Sequence, residues 1–279
     1  MTEVERGTSK IVVAQDGSPA ALTAASVAIQ IAEGQDLPMH GLYVVDETLA
    51  LATYADYSRE LECDGEPASR AELMTWFEEK GDAALQMLEV RCQAAGVPVT
   101  TELFAGGVAE LVLRESERAR LLAIGRRGHS HEDDPHHLGQ NFRAIAHHAK
   151  LPLVIGGDEE RTVRRLLLAY DGTKHAQSAL DWASLLQRTL PAEVTVVAVQ
   201  ENGSQSTSDW LAEARAQLSG CRCLQRVGQP ASEIMSAAEE TQADLIIMGR
   251  YRHSALLEWL TSSTADRVLR GTQLPVLMA

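Results

Sequence analysis

Twice in this chain a short apolar run leads into an aspartate, a glycine and a hydroxyl residue: Asp16-Gly17-Ser18 and Asp171-Gly172-Thr173. A carboxylate held at the end of a buried strand can accept hydrogen bonds from a ribose or an adenine amine. The glycine permits a tight turn, and the Ser or Thr caps a following helix whose N-terminus favours anions. The same tripeptide also serves as an ordinary strand-to-helix turn, so taken alone it leaves both readings open.

A second constellation lies further along each copy. Gly249-Arg250-Tyr251-Arg252 is followed, after the stretch from His253 to Thr261, by Ser262-Ser263-Thr264. Its counterpart is Gly125-Arg126-Arg127-Gly128, then a polar stretch, then Gly139-Gln140-Asn141. Small hydroxyl residues opening a helix supply what a triphosphate needs: backbone N–H groups, a positive dipole end and short donors. The first copy replaces those hydroxyls with amides and places Glu132, Asp133 and Asp134 in the loop, where they would repel phosphate. The second copy is therefore the expected site. That same first-copy loop holds His129, His131, His136 and His137, a donor set that zinc could use, though the spacing matches no closed structural zinc site. A solvated polar loop is the other reading.

These residues need a scaffold, and an internal repeat provides it. The segment from Lys10, KIVVAQDGSPAALTAASVAIQIA, aligns with RLLLAYDGTKHAQSALDWASLLQ from Arg165, and Val44 then matches Val199 at the same interval. Five apolar runs recur in the same order in each copy, the last being LPLVIGG and LPVLMA. Short all-apolar strands alternating with helices predict a parallel sheet covered on both faces, with ligands at the carboxyl ends of its strands. The first helix of each copy is expected to bury Ala25, Ala28, Ile29 and Ala32, or Leu180, Ala183, Leu186 and Leu190, capped by Ser18 and Thr173. The boundaries read as 1–158 and 162–279, joined by a Gly-opened charged stretch. Residues 51–77 form an insertion that the second copy shortens.

Aromatic residues make up only 4% of the chain, so the cores must rely on Val, Leu, Ile and Ala. A net charge of −14 disfavours binding to nucleic acid, whose phosphates an acidic surface repels. The basic clusters Arg126-Arg127 and Arg161, Arg164, Arg165 read as a solvated rim and a linker. The polar start and the short IVVA run predict neither a leader nor a membrane span, and Cys63, Cys92, Cys221 and Cys223 read as reduced thiols, together implying a cytoplasmic protein. Cys221 and Cys223 would share one face of a strand, as ordinary packing. Trp182, Trp210 and Trp259 are expected to cover helix faces rather than to stack on bases.

The paired Asp-Gly-Ser/Thr turns, the glycine and hydroxyl loop after the fourth strand, and Gly228-Gln229-Pro230 at a helix start together resemble the universal stress protein family in tandem form. The resemblance covers nearly the whole chain outside the insertion. It implies two doubly wound five-stranded parallel-sheet domains, Rossmann-like and adenine-nucleotide alpha-hydrolase-like. They would lie face to face as an intramolecular pseudo-dimer with their final strands at the contact. It also implies an ATP site, with magnesium, on Asp171, Gly172, Thr173, Val199, Gly249, Arg250, Arg252, Ser262, Ser263 and Thr264. Weaker equivalents are Asp16, Val44, Gly125, Gly128 and Gly139. Arg252 and Ser262 stand where the family has glycine. The expected role is a stress-response regulator or adaptor rather than an enzyme, with an unidentified protein partner and a possible further homodimer. The alternatives are a scaffold that binds no nucleotide, and metal binding through the histidine loop.

Overall fold

The computed structural model describes residues 10–46, 70–128, 136–201, 207–250 and 263–279. The first half contains β1 (Lys10–Ala14), α1 (Pro19–Gln35), β2 (Met39–Asp46), α2 (Arg70–Ala94), β3 (Val99–Gly106), α3 (Val108–Ser116), β4 (Ala119–Ile124), α4 (Gln140–His148) and β5 (Leu153–Ile155). The second contains β6 (Arg165–Ala169), α5 (Lys174–Thr189), β7 (Glu193–Gln200), α6 (Thr207–Gln217), β8 (Arg222–Val227), α7 (Pro230–Glu240), β9 (Leu245–Met248), α8 (Thr264–Gly271) and β10 (Val276–Met278). Residues 51–69 of the insertion lie outside the described residues, and the remainder of it begins α2.

The strands form one ten-stranded sheet in the order β3-β2-β1-β4-β5-β10-β9-β6-β7-β8. Pairing is parallel throughout each half, and β5 meets β10 antiparallel, with Val154 opposite Leu277. The doubly wound α/β expectation is met. The contact between copies is edge to edge rather than face to face, because each half presents its last strand as an open sheet edge that the other half completes.

Alternation along the strands divides the core in two. Ile11 and Val13 point into a layer beneath α1, α2, α5 and α6, while Val12 points into a layer beneath α3, α4, α7 and α8. Both layers run across the junction between halves, so the hydrophobic core is continuous. In α1 the buried stripe includes Ala25, Ala28, Ile29 and Ala32, and in α5 it includes Leu180, Ala183 and Leu186. Small side chains let the helices approach closely: a Cβ on Gly34 of α1 would lie 2.6 Å from the Thr189 carbonyl oxygen at the end of α5. Leu190, expected on the α5 stripe, is instead its half-buried C-cap.

Of the basic clusters, Arg164 is exposed and Arg161 and Arg165 are partly so, but Arg126 is not part of a solvated rim. Arg126 is 0% exposed. Arg165 holds the buried Asp244 at 3.0 Å, and the backbone N–H groups of Arg164 and Arg165 donate to the same carboxylate at 3.1 and 2.9 Å. Cys221 and Cys223 share a face as expected, their sulfurs 3.9 Å apart. Burial, with Cys223 adding to it, pushes the Cys221 thiol up to about 11, so it stays protonated near neutral pH.

Candidate functional site

The strand-to-helix turns form as the residue types require. Ser18 and Thr173 are N-caps, their hydroxyl oxygens accepting from Ala21 N at 3.3 Å and Ala176 N at 3.2 Å. Asp171 Oδ1 accepts from both the backbone N–H and the hydroxyl of Thr173, at 3.0 and 2.7 Å. This fixes the carboxylate at the carboxyl end of β6, on an exposed residue. Gly172 takes φ +70°, and a Cβ there would fall 2.3 Å from Trp210 Cδ1. The indole therefore lies directly against the turn, in space that only glycine leaves open.

A cleft of about 500 Å³ opens here, at the carboxyl ends of β6, β7 and β9. That is where a doubly wound sheet reverses strand order and where its ligands bind, and the volume falls in the range of ligand pockets. Val197, Val199, Ile234, Met248 and Trp210 supply apolar walls, while Tyr170, Asp171, His175 and Glu201 supply polar groups. Ser263 and Thr264 line it from the start of α8, where Ser263 Oγ caps the helix by accepting from Asp266 N at 3.1 Å. Burial, with the Glu213 carboxylate nearby, pushes the Tyr170 phenol upward, so it stays neutral, donating to Gln177 Oε1 at 3.1 Å. Among the described lining residues the fixed charges are the carboxylates Asp171 and Glu201, and the positive end is the α8 dipole.

Of the predicted residues, Asp171, Thr173, Val199, Gly249, Ser263 and Thr264 line this cleft together. Gly172 underlies it against Trp210. Arg252 and Ser262 lie outside the described residues. Arg250 does not line the cleft. It is 5% exposed, and its guanidinium donates to the carbonyls of Ala146 and, at 3.2 Å, Leu151 in the other half. Gly249 has a packing reason for its type: a Cβ would lie 2.7 Å from Ala176 N at the start of α5. Gly125 stands in the same relation to Ala21 N, at 3.0 Å. The cleft also contains residues the sequence did not single out for it, namely Tyr170, His175, Glu201, Trp210, Ile234 and Met248. Trp210 in particular forms a cleft wall rather than a plain helix cover. Trp182 is a core residue, and Trp259 lies outside the described residues.

In the first half the described start of the glycine loop lies against the strand-one turn. Ser18 Oγ donates to the Arg127 carbonyl at 3.3 Å, and a Cβ on Gly128 would lie 3.1 Å from Asp16 Oδ2. Gly139 N donates to the Arg126 carbonyl at 2.9 Å, joining the start of α4 to the segment just after β4. Val44 is a half-buried part of β2 packed against the core. Of the histidine loop, His129 and His131 lie outside the described residues. His136 Nδ1 lies 2.8 Å from the Arg270 carbonyl oxygen, and His137 is half-buried. Among the described residues, no group of three or more His, Cys, Asp or Glu is placed to hold a metal ion.

Two copies of one sheet, each with an aspartate turn and a small-residue helix start, match a known family in sequence. The universal stress protein family matches residues 7–155 and 211–279, more than half of the chain. The chain belongs to this family. A universal stress protein of Synechocystis is 28% identical over 162 residues, covering 56% of this chain and 56% of the relative. One from Methanocaldococcus jannaschii is 32% identical over 121 residues, covering 43% of this chain and 65% of the relative. The chain thus spans less than two thirds of either relative. Among solved structures, a universal stress protein from Archaeoglobus fulgidus superposes with a TM-score of 0.73 at 21% identity, covering 98% of this chain and 96% of that one. A Pseudomonas aeruginosa protein of unknown function gives 0.64 at 15% identity, covering 99% and 94%. These structures share the tandem universal stress protein fold. Among the described residues, no helix is long and apolar enough to cross a membrane.

Proposed function

We propose that this universal stress protein binds ATP in the cleft of its second half and acts by occupancy, as a regulator or adaptor rather than by turnover. The observation that carries the reading is the convergence, in one cleft at the strand-order reversal, of Asp171, apolar walls and the Ser263–Thr264 start of α8. The residues suit the ligand group by group. Val197, Val199, Ile234, Met248 and Trp210 offer an apolar slot for a base. Asp171 and Glu201 accept from ribose hydroxyls or a base amine. The α8 N-terminus with its hydroxyls receives phosphate, well placed to be the positive end of an otherwise acidic lining. An adenine nucleotide bound this way would change the surface around the amino end of α8 and present it to a protein partner.

The acidic lining also favours a second reading, a scaffold whose cleft stays without nucleotide. Isothermal titration of magnesium-ATP into the wild type and Asp171→Ala separates the two. The expected result is binding in the micromolar range, weakened at least about tenfold in the variant by loss of a charge-assisted acceptor. No heat from the wild type, together with no nucleotide released when the purified protein is denatured, would establish the scaffold.

A further inference from the structure

We infer that Arg126, a residue of the first half, is a positioning residue for the cleft of the second half, acting through α8. The inference rests on the reading of that cleft as a ligand site, but its structural half can be tested without any ligand.

Arg126 follows β4 and reaches across the junction. Its Nε donates to the Gly156 carbonyl at 2.7 Å, its Nη1 to Leu269 at 3.0 Å and also to Thr272, and its Nη2 to Leu274 at 3.0 Å. Four donations onto backbone carbonyls hold a fully buried guanidinium that makes no direct carboxylate contact among them. Burial lowers it to about 10, with Asp158 opposing that shift, so it keeps its charge at neutral pH. A buried cation is tolerated only when its donors are spent; here one donation goes to Gly156 of the first half and three go to the last turn of α8 and the residues just beyond it.

That turn is where a helix leaves carbonyls without partners and carries its negative dipole end. The first half supplies most of what is needed. Arg126 takes Leu269 and Thr272, while the His136 ring lies 2.8 Å from the Arg270 carbonyl oxygen, and Arg270 Nη1 returns a bond to the His136 carbonyl at 2.8 Å. The Val268 carbonyl is taken within the second half, by Thr272 N at 2.8 Å. The other end of the same helix is Ser263–Thr264, part of the cleft. The helix has eight residues and so is about 12 Å long, too short to bend. Fixing its carboxyl end therefore fixes the angle and depth at which its amino end enters the cleft.

The arrangement is reciprocal. Arg250, next to Gly249 of the cleft, donates to Ala146 in the last turn of α4 and to Leu151 beyond it. The amino end of α4 is Gly139, bonded to the Arg126 carbonyl. Each last helix thus runs from its own half's strand-end loop to an arginine of the other half. In the second half, this makes the ligand site incomplete without the first.

The test is Arg126→Lys, which keeps the charge but cannot span the four carbonyls, and the gentler His136→Ala, which removes the ring's contact with the Arg270 carbonyl. Amide hydrogen exchange is read at Asp266 and Arg267, whose N–H groups bond Ser263, and ATP affinity by titration. Arg126→Lys should speed exchange at the amino end of α8 and weaken ATP binding about tenfold, within the usual span of coupled sites. His136→Ala should shift both in the same direction by about twofold to fivefold, and it keeps the test open if the lysine variant does not fold. Unchanged exchange at Asp266 and Arg267 in a folded variant would overturn the inference, as would wild-type affinity alongside reduced stability, the outcome of a merely structural role. If the wild type binds no ATP, exchange alone decides: faster exchange upholds the positioning role while the ligand reading falls.

Discussion

Trp210 and Gly172 show how one missing Cβ shapes a site. The glycine's φ of +70° and the indole carbon 2.3 Å from where a Cβ would stand are two separate reasons why no other residue fits. Gly172→Ala is expected to cost about 1 kcal/mol or more in backbone strain and to push the indole out of its place in the cleft. A lower denaturant midpoint, shifted tryptophan emission and weaker ATP binding should appear together; an unchanged emission spectrum would show that Trp210 does not depend on the turn. His40 offers a pH-dependent case. It is 8% exposed, with Nδ1 2.8 Å from Thr100 Oγ1 and Nε2 buried without a hydrogen-bond partner. Burial, aided by Lys10, lowers its pKa from 6.5, against the pull of Glu102, Glu115 and Thr100. The unfolded chain then binds the proton more readily than the folded one. This contribution to stability is complete above about pH 6.5 and shrinks as pH falls through and below that value. Between about pH 7 and about pH 5 the wild type should lose more stability than His40→Gln, as read from urea midpoints. At this scale Asp171 and Thr173 were legible, because the turn they make is local. Arg126 and Arg250 were not: a Gly-Arg pair after a strand carries no mark of a partner more than a hundred residues away.

The elements were the most legible level. Runs such as IVVA and LLLA, the Ser and Thr caps, and the alanine stripe of α1 follow from short-range rules, and each formed where expected. What short-range rules could not give was how the last strands meet. LPLVIGG and LPVLMA read only as apolar strands, and their antiparallel pairing depends on the rest of both sheets. Leu277 and Val154 face each other there and are 0% exposed. Leu277→Ala should cost about 2–5 kcal/mol, the usual range for a buried leucine. Thermal or denaturant unfolding measures it, and a cost under 1 kcal/mol would mean that the junction contributes little to holding the sheet together.

At the level of the whole molecule, both core layers cross the junction, and the polar ties of Arg126 and Arg250 cross it in opposite directions. The two halves are therefore expected to unfold in a single transition. Near- and far-ultraviolet dichroism should give coincident midpoints, whereas two separated transitions would show that each half is stable without the other.

In a pair of identical chains every substitution appears twice, so a change that spoils one site spoils both. Joining the two copies in a single chain removes that constraint. The first half can carry the amides Gln140 and Asn141 where the second has Ser263 and Thr264, yet go on supplying Arg126 and His136 to its neighbour. If ATP binds in the second half, the first would serve as a brace for it, a division of labour that a symmetric pair cannot reach by mutation.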